Sequence, residues 1–409
     1  MTEWSLEAYD RSVTDIWNDK RRLYVIFTIA ALASLGPLSI DTYLPAFPLV
    51  QQDLGASSGA VAATLATFFT GLCLGQFIYG PISDRVGRRT PLLVGLGVYV
   101  AASIGCALAP NIESLLVLRF IQALGSCAGM VVGRALIRDL FTPQETARVF
   151  SLVMLCMGLA PVLAPLIGQV ISASVGWRAI FALCAVFAAV VMKAASSVVP
   201  ATQGSSSGRG DRFWRTLWEL LNHRGFLGYA LTGALIQAGL FAYITGSPNF
   251  FMEHLGFSSR QYTLFFAMNA TGLIGASQLN NWLLRTRSYA DVLHLVIPIS
   301  TGAAVLLASR MEIGLPTWLS ILCLFVFVAS LGLVFPNSTA GALAEQSERA
   351  GSASALLGLI QYGGAAVASA VVGRLHSLTT HSMELVILAC ALSSIFILKT
   401  MLESGDSRP

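Results

Sequence analysis

The sequence predicts an all-α membrane protein with twelve transmembrane helices in two bundles of six. Apolar residues make up 55% of the 409-residue chain and charged residues only 11%, whereas a soluble domain carries about a quarter charged residues. Apolar windows of roughly 20 residues, the length that crosses a bilayer as a helix, recur about twelve times. A polar stretch near the middle of the chain, with the sequence ATQGSSSGRGDR, divides these windows into two sets of six.

The predicted spans follow the apolar windows in order. In the first half they cover residues 23–46, 59–80, 90–110, 114–137, 146–172 and 178–198. In the second half they cover residues 225–248, 260–282, 289–309, 315–343, 351–373 and 382–402. The predicted domains are therefore a surface segment (1–22), a first bundle (23–198), a linker (199–222), a second bundle (223–402) and a tail (403–409).

Basic residues are distributed unevenly between the two sides of the predicted membrane. About 19 lie at the termini, in the linker and in the loops of that side, against 4 in the opposite loops. An excess of Lys and Arg marks cytoplasmic loops, so we expect both termini and the linker in the cytoplasm. The net charge of +4 comes from cations spread along the chain and does not indicate a nucleic-acid partner.

Two polar segments have apolar residues at helical spacing. One set lies before the first span and the other lies in the linker; they are Leu6, Tyr9, Val13, Ile16 and Trp17, and Phe213, Trp214, Leu217, Trp218 and Leu221. This pattern, with basic neighbours, is typical of a helix lying on the membrane surface. For the second segment an ordinary linker is the alternative.

An internal repeat supports the division into two halves. A shift of 201 residues aligns LGASS (54–58) with LGFSS (255–259), and TGL (70–72) with TGL (271–273). Two similar halves in the same orientation are typical of a parallel-repeat transporter, whose substrate site lies at the interface between the halves near the middle of the membrane.

The loop after the second predicted span reads GPISDRVGRRTPLL. Its glycines allow two helices to pack closely around a short turn, and its charged residues can form a network across the helix ends. The loop resembles the signature of the major facilitator superfamily, in which it controls the conformational change together with an acid at the end of the fourth span. The matching residues are Gly80, Asp84, Arg85, Gly87, Arg88 and Arg89, with Asp139 as that acid.

The fourth predicted span contains an arginine, Arg119, with Gln122 and Ser126 on its helical face. An arginine at membrane depth costs about 2.5–3.5 kcal/mol on insertion scales unless it is paired or faces water. The segment resembles a second motif of the same superfamily, with Ala123 in place of a glycine. The resemblance implies a charge partner for a coupling acid or an anchor for substrate; a side chain that reaches the membrane surface is the alternative.

Two prolines interrupt the fifth predicted span, within the stretch GLAPVLAPLIGQ. Prolines bend a helix, and small residues allow close packing where helices move against each other. The stretch resembles the antiporter motif of drug exporters, although two of its glycines are replaced. The residues that carry the resemblance are Gly158, Pro161, Pro165 and Gly168, and a structural kink is the alternative reading.

Asp41 is the one carboxylate that falls inside a predicted span; the other twenty acids lie in loops or at helix ends. A carboxylate in such a place is expensive and marks a functional site, here a carrier of protons. The alternative is an aspartate at a helix end in contact with water. The stretch DTYLPAF resembles the bicyclomycin and chloramphenicol resistance branch of drug:proton antiporters, although Ala33 occupies a position where some relatives carry a second acid.

The resemblance implies a proton-coupled exporter of amphipathic antibiotics in a bacterial inner membrane, and we expect a monomer. Polar and aromatic residues within the spans are candidates for a mainly apolar substrate cavity; besides Arg119 and Gln122 they are Tyr43, Gln237, Phe241, Asn269, Asn337 and Gln361. Each of these could instead join neighbouring helices. A transporter of one specific metabolite is the alternative function.

Enzymatic chemistry has no support in the sequence. There is no phosphate-binding loop of the G-x-x-x-x-G-K-[S/T] type, the five histidines show no spacing typical of a metal site, and no catalytic group of residues stands out. We therefore expect no cofactor, no metal and no catalytic activity.

Overall fold

The computed structural model describes residues 19–141, 143–199, 209–313, 316–346, 349–376 and 378–402. Within these ranges all regular secondary structure is helical. Most of the predicted surface segment 1–22, the first part of the linker and the tail 403–409 lie outside the described residues.

The helices follow one another with short connections. The first half contains α1 (Asp19–Asp41), a 3-10 turn (Leu44–Ala46), α2 (Phe47–Leu54), α3 (Ser58–Val86), α4 (Arg89–Ala107), α5 (Ile112–Leu140), α6 (Pro143–Ser174) and α7 (Arg178–Val198). Helix α8 (Arg209–Leu221) joins it to the second half. The second half contains α9 (Arg224–Pro248), a π turn (Asn249–His254), α10 (Ser259–Leu283), α11 (Tyr289–Ile313), α12 (Thr317–Leu343), α13 (Ala350–Leu375), α14 (Ser382–Ile397) and a π turn (Leu398–Leu402).

Polar side chains begin several of these helices. Ser57 and Asn111 accept hydrogen bonds from backbone amides in the first turns of α3 and α5. Ser258 and Gln261 form a reciprocal capping box at the start of α10. Helix α3 ends at Gly87, whose φ of 94° is a conformation that other residues rarely adopt.

Ten helical segments of the described residues are long and apolar enough to cross a membrane. Two of the predicted spans are missing from this set. Helix α10 carries five side-chain amides along its 25 residues, and the apolar part of α6 found in the described residues is limited to Leu159–Ser174. A membrane-spanning, all-helical chain is therefore confirmed, while a total of twelve spans stays a prediction.

The first predicted span is not one continuous α-helix. Helix α1 ends at Asp41, and a 3-10 turn that contains Pro45 leads into the short helix α2. Proline lacks an amide hydrogen and fixes its own φ, so it favours a new helical start over continuation. Asp41 is thus at a helix end, but the chain folds back over it and only 4% of its surface is exposed. The alternative of an aspartate at the water-exposed surface does not fit this burial.

Helices α3 and α13, and helices α6 and α10, pack together across the boundary between the two halves. Glycines permit the closest approaches. A Cβ atom at Gly59 in α3 would lie 2.6 Å from the carbonyl oxygen of Gly373 in α13, which is closer than real Cβ contacts allow. The two helix backbones therefore touch at this crossing.

Helix α8 packs on the second half through Leu217 and Leu220, which contact residues at the starts of α9 and α13. Glu219 forms a 2.7 Å ion pair with Arg349 beside this contact. Trp218, which belongs to the same predicted apolar face as Leu217, leaves 70% of its surface exposed. The predicted helix in the linker is present from residue 209, and its location on the membrane surface stays a prediction.

Candidate functional site

Asp41 lies at the boundary between the halves. Its carboxyl is close enough to the hydroxyl groups of Tyr243 on α9 and Tyr262 on α10 to interact with both electrostatically. Among the described residues, no Lys, Arg or His side chain lies within salt-bridge distance of it. The acid therefore sits in the first half of the chain and faces groups of the second half without a counterion.

Helix α6 approaches the backbone directly after Asp41. Gly168 lies so close to Thr42 that a Cβ atom there would overlap the Thr42 carbonyl oxygen. Pro161 and Pro165 lie inside the same helix. The glycine of the predicted antiporter motif thus allows α6 to support the end of α1 that carries the acid. The surroundings of Gly158 lie outside the described side chains.

The wall opposite Asp41 combines aromatic rings with hydrogen-bonding groups. Asn269 donates a 2.7 Å hydrogen bond to the hydroxyl of Tyr243, whose ring stacks on Phe266 at 5.7 Å. The hydroxyls of Tyr262 and Ser247 are 3.1 Å apart. Such a surface, apolar with a few fixed polar groups, is typical of small-molecule sites.

Phe241 on α9 connects the two halves of the chain. Its ring lies 4.4 Å from the ring of Phe69 on α3, measured between centroids, and 6.4 Å from that of Tyr362 on α13. The side-chain carbonyl oxygen of Asn269 and that of Gln237 are buried and have no hydrogen-bond partner among the described residues. These oxygens are candidate acceptors for a bound molecule.

Arg119 is completely buried in a cage of three aromatic rings in the first half. Its guanidinium carbon lies 4.3 Å from the ring centre of Phe68, 5.1 Å from that of Tyr43 and 5.5 Å from that of Phe181. A desolvated cation over several rings is stabilised by about 2 kcal/mol or more per good contact. The alternative of a side chain that reaches the membrane surface is excluded by its complete burial.

One hydrogen-bond chain orients the guanidinium. Arg119 donates to the Gln122 side-chain oxygen at 2.7 Å, and Gln122 donates to the Ser103 hydroxyl at 2.8 Å. The Nε and Nη2 atoms of Arg119 have no hydrogen-bond partner among the described residues.

The expected pairing of Arg119 with Asp41 is not present. The groups that contact the Arg119 guanidinium are the rings of Tyr43, Phe68 and Phe181 and the Gln122 side chain, all of them in the first half. Aromatic rings and an amide oxygen replace the carboxylate partner, whereas Asp41 faces the second half. The two charges are therefore separate sites in this conformation.

The other predicted cavity residues divide among different surroundings. Asn269 belongs to the wall opposite Asp41, Phe241 belongs to the contact between α9 and α3, and Tyr43 and Gln122 belong to the Arg119 cage. Asn337 donates a 2.6 Å hydrogen bond to Asn280 and so joins α12 to α10, as the alternative reading for these residues expected. Gln361 is buried on α13.

The loop between α3 and α4 is tied to the rest of the first half. Arg88 forms a 3.0 Å ion pair with Asp139 at the end of α5 and donates a hydrogen bond to Ser83. Arg89 donates to the carbonyl of Ser196 on α7. Arg85 is exposed, a Cβ atom at Gly80 would meet no neighbour, and the Asp84 side chain lies outside the described part of the chain. We call this end of the molecule the Arg88 end.

A bridge that the sequence reasoning missed closes the opposite end. The carboxylate of Glu253 accepts hydrogen bonds from Ser58 at 2.6 Å and Gln51 at 2.9 Å, both in the first half. His376 lies 3.6 Å from the same carboxylate. We call this the Glu253 end. The internal repeat points to the same region. The shift of 201 residues aligns Ser58 with Ser259, and Ser259 also donates a hydrogen bond across the boundary, to the carbonyl of Pro45.

The sequence of this chain is similar to those of known transporters. The sequence model of the Major Facilitator Superfamily matches residues 27–369. The chain is 36% identical to the uncharacterized MFS-type transporter YdgK of Bacillus subtilis over 87% of its own length and 89% of the relative. It is 27% identical to a bicyclomycin resistance protein homolog of Haemophilus influenzae, over 92% of this chain and 96% of the relative. It is 31% identical to a chloramphenicol resistance protein of Pseudomonas aeruginosa, over 68% and 65%.

The fold has matching solved structures. A bacterial homolog of the human lysosomal transporter Spinster, in an inward-facing and unoccupied conformation, superposes with a TM-score of 0.72 over 95% of this chain and 99% of that one, at 15% sequence identity. At this identity the likeness concerns the fold alone. Together with the family match, it shows that the chain belongs to the Major Facilitator Superfamily and is a membrane transporter rather than an enzyme.

Proposed function

We propose that this transporter exports amphipathic antibiotics, such as phenicols or bicyclomycin-like compounds, in exchange for protons. The observation that carries the proposal is Asp41, a buried carboxylate at the boundary of the halves with no counterion among the described residues. Two relatives named for bicyclomycin and chloramphenicol resistance support the substrate class. The excess of basic residues supports an inner-membrane orientation with the Arg88 end in the cytoplasm and the Glu253 end in the periplasm.

Asp41 would carry the proton in alternating access. When the Glu253 end is open, Asp41 binds a proton from the periplasm and the drug leaves. The halves then rock, the Glu253 end closes, and Asp41 releases its proton toward the cytoplasm. The ionised carboxylate and the adjoining aromatic wall are then ready for another drug molecule. One proton moving down a 100 mV potential supplies about 2.3 kcal/mol.

The surface around Asp41 suits an amphipathic molecule. The rings of Tyr243 and Phe266 offer apolar area, while Asn269 offers an amide oxygen without a partner among the described residues. Arg119, which is not paired with Asp41 in this conformation, would act from the first half as a fixed positive charge that favours an electron-rich group of the drug. Arg88 and Asp139 would hold the loop that moves when the halves rock.

Drug transport into inverted membrane vesicles tests this function. With an imposed inward-acidic gradient, vesicles containing the wild-type chain should accumulate labelled chloramphenicol. Vesicles with Asp41→Asn should lose proton-driven accumulation, because an amide cannot bind and release the proton, but should still bind the drug. Undiminished accumulation by this variant would refute Asp41 as the carrier, and substrate movement in the same direction as protons would favour the specific-metabolite alternative.

A further inference from the structure

A shallow, open groove lies between α9 and α14 on the outside of the second half. It is lined by Leu231, Leu235, Leu392, Ser393, Phe396 and Ile397. Five of these six side chains are apolar, and Phe396 leaves 65% of its surface exposed. Because α9 and α14 both belong to segments that are long and apolar enough to cross a membrane, the groove opens toward lipid chains and not toward water.

The α9 wall of the groove ends in a cation. Arg224, Leu231 and Leu235 are separated by seven and four residues, so they lie along one face of α9. The guanidinium of Arg224 donates a 2.6 Å hydrogen bond to the carbonyl of Thr400. This bond joins the beginning of α9 to the π turn that follows α14, and it holds the positive charge at the Arg88 end of the groove.

The α14 wall ends in a second cation at the same level. Leu392, Phe396 and Lys399 follow one another at intervals of four and three residues, again along one face. Lys399 is exposed. The π turn that carries it packs tightly on α9, because a Cβ atom at Gly228 would lie 2.8 Å from the Leu402 side chain. The groove is therefore apolar along its length and positively charged at one end.

We propose that this groove binds a phospholipid with an anionic headgroup. Its phosphate would lie between Lys399 and Arg224, and one acyl chain would lie along Leu231 and Phe396. A lipid matches both parts of the site. The basic residues attract an anionic headgroup, and the apolar walls can accommodate an acyl chain. The acyl chain gains little by moving into the groove, because the surrounding lipid is equally apolar. Selectivity for the headgroup therefore depends on the cations, while residence depends on the shape of the groove. This role is independent of which drug the protein transports.

Native mass spectrometry of the purified full chain can measure this selectivity. The protein in a neutral detergent would be titrated with phosphatidylglycerol or phosphatidylcholine carrying the same acyl chains. We expect wild type to bind phosphatidylglycerol more tightly. Lys399→Gln should reduce that preference about five-fold, which corresponds to about 1 kcal/mol for one basic residue. Lys193→Gln is the matched control, because Lys193 is an exposed lysine on α7 that lies near the Arg88 end of the molecule and outside the groove.

A second variant tests the shape of the groove. Ser393→Trp places a large ring in the groove from an exposed position and should reduce the binding of both lipids without changing the melting temperature. An unchanged headgroup preference in Lys399→Gln, or an equal loss in Lys193→Gln, would overturn the proposal. Displacement of the lipid by chloramphenicol would also overturn it, in favour of a drug site. If Ser393→Trp does not fold, the comparison of Lys399→Gln with Lys193→Gln still tests the proposal.

Discussion

The hydroxyl of Ser58 donates a 2.6 Å hydrogen bond to the carboxylate of Glu253, across the boundary between the two halves of the transporter. Gln51 donates to the same carboxylate oxygen. Hydrogen bonds to a charged acceptor contribute about 1.5–3 kcal/mol each, more than neutral ones. Glu253 therefore contributes to closure at this end, together with the Ser259 hydrogen bond to Pro45 and the backbone contact of Gly59 with Gly373.

Glu253→Ala should open the Glu253 end. Loss of the acceptor leaves Ser58 and Gln51 without their shared partner, so the closed conformation loses stability relative to the open one. We expect hydrogen–deuterium exchange to become several-fold faster in the segments 47–58 and 249–260. Glu253→Gln, which keeps one acceptor oxygen but loses the charge, should give an intermediate rate.

Asp53→Asn is the matched control for that variant. Asp53 lies at the same end and forms an ion pair with Arg178, but both residues belong to the first half. Its substitution should leave the exchange of residues 249–260 unchanged. Equal acceleration in both variants would mean that Glu253 acts through general stability and not through closure between the halves.

Gly168→Ala should impair transport through its contact with Thr42. The added methyl group would overlap the Thr42 carbonyl and force α6 away from the end of α1 that carries Asp41. Overpacking of this kind costs about 1–3 kcal/mol. We expect a lower melting temperature and at least a ten-fold loss of drug accumulation in vesicles.

Gly97→Ala provides the comparison, because a Cβ atom at Gly97 in α4 would meet no neighbour within 4 Å. This variant should transport normally and melt at the wild-type temperature or slightly above it, since alanine favours a helix by about 1 kcal/mol over glycine. Normal transport by Gly168→Ala would show that α6 can move without effect on the site.

The family, the helical class and many of the helix positions could be predicted from local patterns. Apolar length, basic loops and the sequence around Arg88 each depend on residues close together in the chain, and the Arg88–Asp139 pair followed from the resemblance. The pairing of Arg119 with Asp41 could not be predicted correctly. The family resemblance offered it beside a role as substrate anchor, whereas the aromatic rings that replace the carboxylate come from three separate segments.

The bridge at Glu253 was missed for a related reason. An acid in a loop after a predicted span resembles any solvated acid, and only the packing of α3 on the π turn after α9 reveals its partners. Helix α10 is less apolar than the predicted span because of its five side-chain amides, of which Asn280 pairs with Asn337 and Asn269 donates to Tyr243. Polar groups that pair inside a helix bundle lower the hydropathy of a span without excluding it from the membrane.

Arg119→Met should separate stability from transport. Methionine removes a buried cation that has no carboxylate partner among the described residues, and replacing buried charges by apolar groups of similar size is often neutral or stabilising. The loss of the ring contacts and of the Gln122 hydrogen bond acts in the opposite direction. We expect a melting temperature within a few degrees of wild type, together with a ten-fold or greater loss of proton-driven drug accumulation.

Arg119→Lys tests whether charge alone suffices at this position. Lysine keeps the positive charge but lacks the planar fork that contacts three rings and Gln122 together. It should recover part of the transport lost in Arg119→Met. Equal and complete loss in both variants would assign the role to guanidinium geometry, and full transport by Arg119→Met would remove Arg119 from the proposed mechanism.

The Arg88–Asp139 ion pair should control the rate of the conformational change more than drug affinity. Arg88 is largely enclosed and also donates to Ser83, so its removal releases the loop between α3 and α4. Arg88→Ala and Asp139→Ala should each lower the maximal transport rate, and the double variant should be no worse than the poorer single variant. Half-exposed ion pairs contribute up to about 1 kcal/mol, so a coupling of roughly five-fold is expected. Lys193→Ala, at an exposed position of α7 outside the motif, is the control. Independent multiplicative losses in the double variant would contradict a functional pair.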